Sequence, residues 1–293
     1  MQLIINHHTI AYHDGFESLS HQFDAFLVDI WGVLHDSAKP YPGAVDCLKH
    51  FRSANKQVIL LSNAGRRASV LAKELLAFGI DNQLYDHIVS SGELAWNAFS
   101  SNQNKQLKKL GTKFYLLGPE RYALTEGLAL QQVHHPDEAD FVLTVGVFGN
   151  PSSVDPQVPI LQKSLDNQLT MVCANPDLQV VRDGVMGIAA GALAKRYEEM
   201  GGTVIYFGKP HQITYQVCFD HLQITDKSKV LAVGDALNTD IAGANKFGIA
   251  GALVGTGIHA TELSELPKKT AASSNLFSTF QEYPTMIIPA FCW

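Results

Sequence analysis

Cysteine is scarce and unpatterned. The 293-residue chain carries four, Cys47, Cys173, Cys218 and Cys292. They form no Cys-x-x-Cys pair and no metal-ligand spacing, which argues against a disulfide scaffold or zinc module and for a reducing, cytoplasmic setting. Basic charge is also thin. Twenty-two Lys and Arg against 28 Asp and Glu leave a net charge of −6, so neither nucleic acid nor an anionic membrane is an expected partner. The largest basic cluster, Lys105, Lys108 and Lys109, reads as a solvated helix face. No apolar run approaches the ~18 residues needed to cross a bilayer. The opening segment MQLIINHHTIAYHDG lacks the basic-then-apolar pattern of a secretory signal. Internal repeats and low-complexity tracts are missing too, and a hydrophobic fraction of 46% is enough for a sizeable core.

What is present is an alternation of short apolar runs with amphipathic stretches. Residues 25–28, 58–61, 88–89, 114–117, 141–145, 171–173, 204–207, 230–233 and 252–254 are predicted buried strands, and 68–78 and 213–222 are predicted helices. Strands separated by helices imply right-handed crossovers, hence an α/β fold with a mostly parallel sheet covered on both faces. The polar stretch 100–109 and the pair Gly201-Gly202 are candidate crossings into and out of an inserted unit. The expected division is one core domain of 1–103 and 203–293 interrupted by a second domain of 104–202. The tail Met286-Ile287-Ile288, bracketed by Pro284 and Pro289, is expected to dock on the body.

Ligands in such sheets bind beyond the carboxyl ends of the strands, and four predicted ends bear polar groups. AFLVDIWGVLHD supplies Asp29, VILLSNAG supplies Ser62 and Asn63, VIYFGKPH supplies Lys209, and VLAVGDALNTD supplies Asp235 and Asp240. Taken singly, an Asp closing a strand is commonly a turn former or helix cap. Taken together they bring three carboxylates, a hydroxyl and an ammonium toward one crevice. Three acids in proximity repel unless a cation sits among them, and oxygen ligands suit Mg²⁺. Ser62 and the N–H groups of the Ser62-Asn63-Ala64 turn can donate to phosphate oxygens, and Lys209 can offset anionic charge. That chemistry is phosphoryl transfer through an aspartyl-phosphate.

The order and spacing of these segments resemble the four motifs of the haloacid dehalogenase (HAD) superfamily. The Ala174–Asp177 segment, the long insertion and the Gly-Asp-x-x-x-Thr-Asp form of the fourth motif resemble its subfamily IIA, the NagD-like phosphatases. The resemblance covers roughly residues 24–257. It implies a Rossmann-like core with an inserted α/β cap. It also implies Asp29 as nucleophile and metal ligand, Ser62 as phosphoryl contact and Lys209 as holder of nucleophile and phosphate. Asp235 would ligate the metal with Asp240 assisting, and Asn175 and Asp177 would lie on a cap loop near the substrate. The resemblance is compatible with a homodimer, for which no residue argues.

One position departs from that pattern. The first motif of the family reads Asp-x-Asp, its second Asp being the general acid and base; here it reads Asp29-Ile30-Trp31. The metal contact expected there is a backbone carbonyl, which Trp31 retains. The proton shuttle is lost, because an indole offers only a poorly acidic N–H. Three readings stay open: a hydrolase that favours good leaving groups, a phosphate-binding regulatory protein, and a phosphotransferase to an acceptor other than water. His35 and Asp36 lie where a flap would cover the site, with hydrogen-bonded loop roles as the plainer reading. Arg66 and Arg67 are candidate contacts for an anion or ordinary helix-start residues. His7, His8, His13, His134 and His135 lack ligand spacing and read as structural or surface residues.

Overall fold

The computed structural model describes residues 1–36, 38–101, 104–120, 124–182, 184–267 and 271–293. Positions 102 and 103 of the expected first crossing thus lie outside the described residues. The strands in chain order are β1 (Gln2–Ile5), β2 (His8–Tyr12), β3 (Ala25–Val28), β4 (Gln57–Ser62), β5 (His87–Ser90), β6 (Lys113–Leu117), β7 (Gln131–Val133) and β8 (Phe141–Thr144). After these come β9 (Thr170–Cys173), β10 (Gln179–Arg182), β11 (Val185–Ile188), β12 (Val204–Tyr206), β13 (Val230–Gly234), β14 (Ala250–Val254) and β15 (Met286–Ile288). Among the described residues no helix is long and apolar enough to cross a membrane.

The chain divides into two compact units. The first comprises Met1–Ser62, Ala72–Val89 and Lys209–Trp293; the second comprises Asn63–Leu71 and Ser90–Gly208. These limits differ from the expected 104–202, and the difference has a physical source. Asn63 in the turn after β4 bonds Asp177, and Ser91 at the start of the helix Ser91–Ser100 bonds Ala174, pairings with the insertion that no composition shift announces.

In the first unit an eight-stranded sheet runs β1-β2-β15-β14-β13-β3-β4-β5. In the sheet order all pairings from β2 through β4 are parallel, and the β1–β2 hairpin is antiparallel. β3, β13 and most of β4 and β14 are buried end to end. Such strands, covered on both faces, read in the sequence as unbroken apolar runs. Strand order reverses at β3: the chain proceeds to β4 on one side and later to β13 on the other. A crevice outside the strands' carboxyl ends opens at such a switch point. The core near the amino end of β3 is aromatic, with Phe26 stacked on Phe51 at 4.0 Å and Phe16 meeting Phe51 and Phe291.

The second unit holds a parallel sheet in the order β12-β9-β8-β6-β7 and a separate hairpin of β10 and β11. Its core is formed by residues such as Phe114, Phe141, Leu143 and Val172 on one side and Leu161, Met171, Leu193 and Tyr197 on the other. β12 belongs here, paired with β9. The apolar run ahead of Lys209 is therefore not a strand of the sheet that carries Asp29.

Candidate active site

Asp29 follows β3 directly, and its N–H donates to Val233 O on the neighbouring β13 at 2.9 Å, fixing the backbone where the strand ends. Asp235 follows β13. Asp240 sits in the single π-helical turn Leu237–Ile241 just beyond, an irregular winding often found at functional sites. Lys209 lies between β12 and the helix Gln212–Leu222. Carboxylate oxygens of Asp29, Asp235 and Asp240, all buried, lie within 4.8 Å of one another.

Lys209 Nζ donates to Asp29 Oδ1 at 2.7 Å, Asp240 Oδ1 at 2.6 Å and the Leu61 carbonyl at 3.1 Å. At 2% exposure this ammonium is removed from water. A buried lysine keeps its charge only if compensated, and two carboxylates do that. Asp235 has a different environment. Its Oδ2 accepts from Ile258 N at 2.8 Å, and burial, with Asp29 and Asp240 adding like charge, pushes its pKa well above the usual carboxylate range. The donor set thus holds three carboxylates against the Lys209 ammonium, an excess of negative charge that a divalent cation would balance. An all-oxygen set fits Mg²⁺.

Glycines make this clustering possible. A Cβ on Gly32 (φ +83°) would fall 2.1 Å from Asp235 Oδ2, and one on Gly257 (φ +71°) would fall 1.9 Å from the same oxygen. A side chain at either position would displace the carboxylate. Ser62, buried at the end of β4, immediately follows the carbonyl that Lys209 contacts.

The residues following Ser62 belong to the second unit. Asn63 Nδ2 donates to Asp177 Oδ1 at 2.8 Å, and Asp177 N donates to Asn175 Oδ1 at 3.1 Å. Ala64 O accepts from Gly92 N at 3.1 Å. Arg67 pairs with Glu93 through two hydrogen bonds of 2.7 and 3.0 Å and lies over the Trp96 ring, which ties up its guanidinium.

Trp31 is half-buried, its ring meeting that of His35 edge-on at 5.3 Å. His35 is buried and also packs on Phe78 at 4.8 Å. Asp36 Oδ1 accepts from Ala38 N and Lys39 N, and these backbone bonds hold its carboxyl below the usual range. His8 stacks on Tyr283, and His13 meets Ser18. Sequence reasoning missed Tyr41, which hydrogen-bonds the Gly257 backbone and whose phenol is pushed up by burial and by nearby Asp235. It also missed the Leu61 carbonyl and the Ile258 amide, since any residue supplies those groups. The glycines were legible only as glycines.

Comparison with known proteins identifies the family. A family model described as haloacid dehalogenase-like hydrolase matches residues 26–125, and a HAD-hydrolase-like model matches residues 206–281. The chain belongs to the haloacid dehalogenase-like hydrolases. It is 26% identical over 261 residues to chronophin of Mus musculus, covering 82% of this chain and 84% of the relative. To the 4-nitrophenylphosphatase of Schizosaccharomyces pombe it is 25% identical over 256 residues, covering 80% and 83%. The crystal structure of a haloacid dehalogenase-like hydrolase from Brucella suis superposes with a TM-score of 0.81 at 26% identity, covering 95% of this chain and 99% of that one. Within the family the chain is a NagD-like member of subfamily IIA.

Proposed function

We propose that this protein is a Mg²⁺-dependent phosphoric monoester hydrolase that acts on a small phosphorylated metabolite through an aspartyl-phosphate. The observation that carries this reading is the burial of Asp29, Asp235 and Asp240 within 4.8 Å of one another beside the Lys209 ammonium. A cluster so repulsive when empty is stabilised by the ion and the ester it would hold.

In this reading an Asp29 oxygen attacks phosphorus in line. The new acyl O–P bond forms as the bond to the ester oxygen breaks, and the leaving oxygen departs with the electron pair. Lys209 orients the Asp29 carboxylate and offsets phosphoryl charge. The Ser62 hydroxyl and the N–H groups of Asn63 and Ala64 receive phosphoryl oxygens. Water then cleaves the acyl phosphate, releasing inorganic phosphate and restoring Asp29. Asp29, Asp235, Asp240 and the Trp31 carbonyl would hold Mg²⁺, which when bound neutralises charge on phosphoryl oxygens. Asn175 and Asp177 are further candidate substrate contacts, tested by their alanine variants.

Trp31 sets the rate. General acid–base catalysis is worth ~10²–10⁴-fold, or about 3–5.5 kcal/mol of barrier. An alkoxide leaving group feels that loss; an aryl or acyl leaving group feels it less. The same residue favours a second reading, a phosphate-binding regulatory protein with little turnover. Four free cysteines support a cytoplasmic location, and the net charge of −6 disfavours a polyanionic partner. A homodimer is compatible with the family resemblance although no residue argues for it, and light scattering tests the assembly. The functional test is hydrolysis of 4-nitrophenyl phosphate with Mg²⁺, run beside Asp29→Asn and an EDTA-treated sample. Release by wild type alone is expected. A metal-loaded wild type inert on a broad ester panel would overturn the hydrolase reading in favour of the regulatory one.

A further inference from the structure

Asn63, Ser91, Pro176 and Gly208 meet at one point in the second unit. A Cβ on Gly208 (φ +112°) would fall 2.4 Å from Asn63 Oδ1, 2.9 Å from Ser91 Cβ and 3.1 Å from Pro176 Cδ. Ser91 is fully buried there, its Oγ 2.6 Å from Ala174 O and 3.1 Å from Ala64 O. A hydroxyl has one proton to give. Ala64 O already accepts from Gly92 N, so the shorter Ser91 bond supplies the Ala174 carbonyl. The two carbonyls belong to different loops, the turn after Ser62 and the Ala174–Asp177 segment. Ser91 joins them where Asn63 faces Asp177 at 2.8 Å.

The neighbours of Ser91 brace the same turn. Ser90 Oγ donates to Arg66 O at 2.6 Å. Glu93 accepts from Ala68 N at 2.9 Å and from the Arg67 guanidinium. A Cβ on Gly92 would fall 2.4 Å from Arg66 N, so this close docking requires glycine. Two residues of the proposed mechanism emerge directly from this knot: Ser62 precedes Asn63 and Lys209 follows Gly208, one peptide bond away in each case.

We propose that Ser91 is a positioning residue for phosphoryl transfer, holding the Asn63-Ala64 turn against the Ala174–Asp177 loop so that its N–H groups and Ser62 are aimed at the phosphoryl oxygens. This rests on the phosphatase reading. Misplacing such donors by about 1 Å costs on the order of 100-fold in rate, so even a small relaxation of the knot is kinetically visible.

The test compares wild type, Ser91→Ala and Ser91→Cys. It reads kcat and KM on 4-nitrophenyl phosphate, inhibition by inorganic phosphate, the Mg²⁺ concentration for half-maximal rate, and thermal unfolding. In Ser91→Ala, kcat is expected to fall on the order of tenfold or more and phosphate inhibition to weaken. The Mg²⁺ requirement stays unchanged, because the carboxylates belong to the other unit. Ser91→Cys, which keeps the volume and a weak donor, falls between, and it carries the test if Ser91→Ala does not fold. A folded variant with lowered thermal stability but wild-type kcat and phosphate inhibition overturns the proposal, because that is the signature of a packing role. If wild type itself hydrolyses no ester, the phosphatase reading fails separately. Calorimetry of inorganic phosphate on the Mg²⁺-loaded proteins then decides for Ser91: weaker binding by Ser91→Ala supports positioning, and equal binding overturns it.

Discussion

Lys209 Nζ lies 2.6 Å from Asp240 Oδ1, and both groups are buried. The contact makes the lysine a structural counter-ion beside its proposed role in the reaction, and the two roles separate experimentally. Removing one partner of a buried ion pair costs ~3–5 kcal/mol because the remaining charge is stranded. Lys209→Met is therefore expected to lower the urea midpoint sharply and abolish turnover. Added Mg²⁺ should restore part of the midpoint but none of the activity. Equal midpoints for variant and wild type would mean that the ammonium does not balance these carboxylates.

The cation itself is expected to stabilise the fold. A ligand at 100 times its dissociation constant adds about 2.7 kcal/mol, so thermal unfolding should shift upward with Mg²⁺ and return with EDTA. Asp235→Asn relieves the like-charge repulsion that Asp29 and Asp240 impose on Asp235. It is expected to unfold at an equal or higher temperature without metal, and to lose most of the metal-dependent rise.

Trp31→Asp tests the missing proton shuttle. The rate on an alkyl phosphate is expected to rise by ~10²–10⁴-fold, with a much smaller change on 4-nitrophenyl phosphate. No gain on either ester, with a brisk wild type, would assign the proton transfer to another residue.

His259 predicts a pH effect on stability. Burial lowers its pKa, with Glu262 and Asp240 pulling the other way, and its Nε2 accepts from Leu237 N at 3.4 Å. The folded state therefore binds fewer protons than the unfolded state below the unfolded pKa of about 6.5. Stability is fully present above that value and falls as pH drops toward the depressed folded pKa. Urea melts from pH 7.5 to 5 should show this decline, and His259→Gln should flatten it.

The central sheet was legible because β3, β4, β13 and β14 are sandwiched on both faces and must be apolar throughout. β1 alternates exposed and buried over four residues, and β10 has no buried position, so neither leaves a comparable run. β12 was legible as a strand but not as a member of the second sheet, since three half-buried residues do not encode a partner. Within the site, Asp29, Asp235, Asp240 and Lys209 were findable because the groups are side chains at the ends of apolar runs. Ser91 was hidden by being a serine near a helix start, where capping explains it equally well. The apolar tail was expected to dock on the body; in the fold it is β15, because Pro284 and Pro289 lie just outside a three-residue pairing.

β15 lies between β14 and β2 in the sheet. The β1–β2 hairpin therefore has no edge of this sheet to join until residues more than 270 positions later are synthesised. Until then β14 offers an open ladder of amide and carbonyl groups, a template for strands from other molecules. Loss of those few late residues would unmoor the β1–β2 hairpin from β14, which makes β15 the clasp for a segment made long before it.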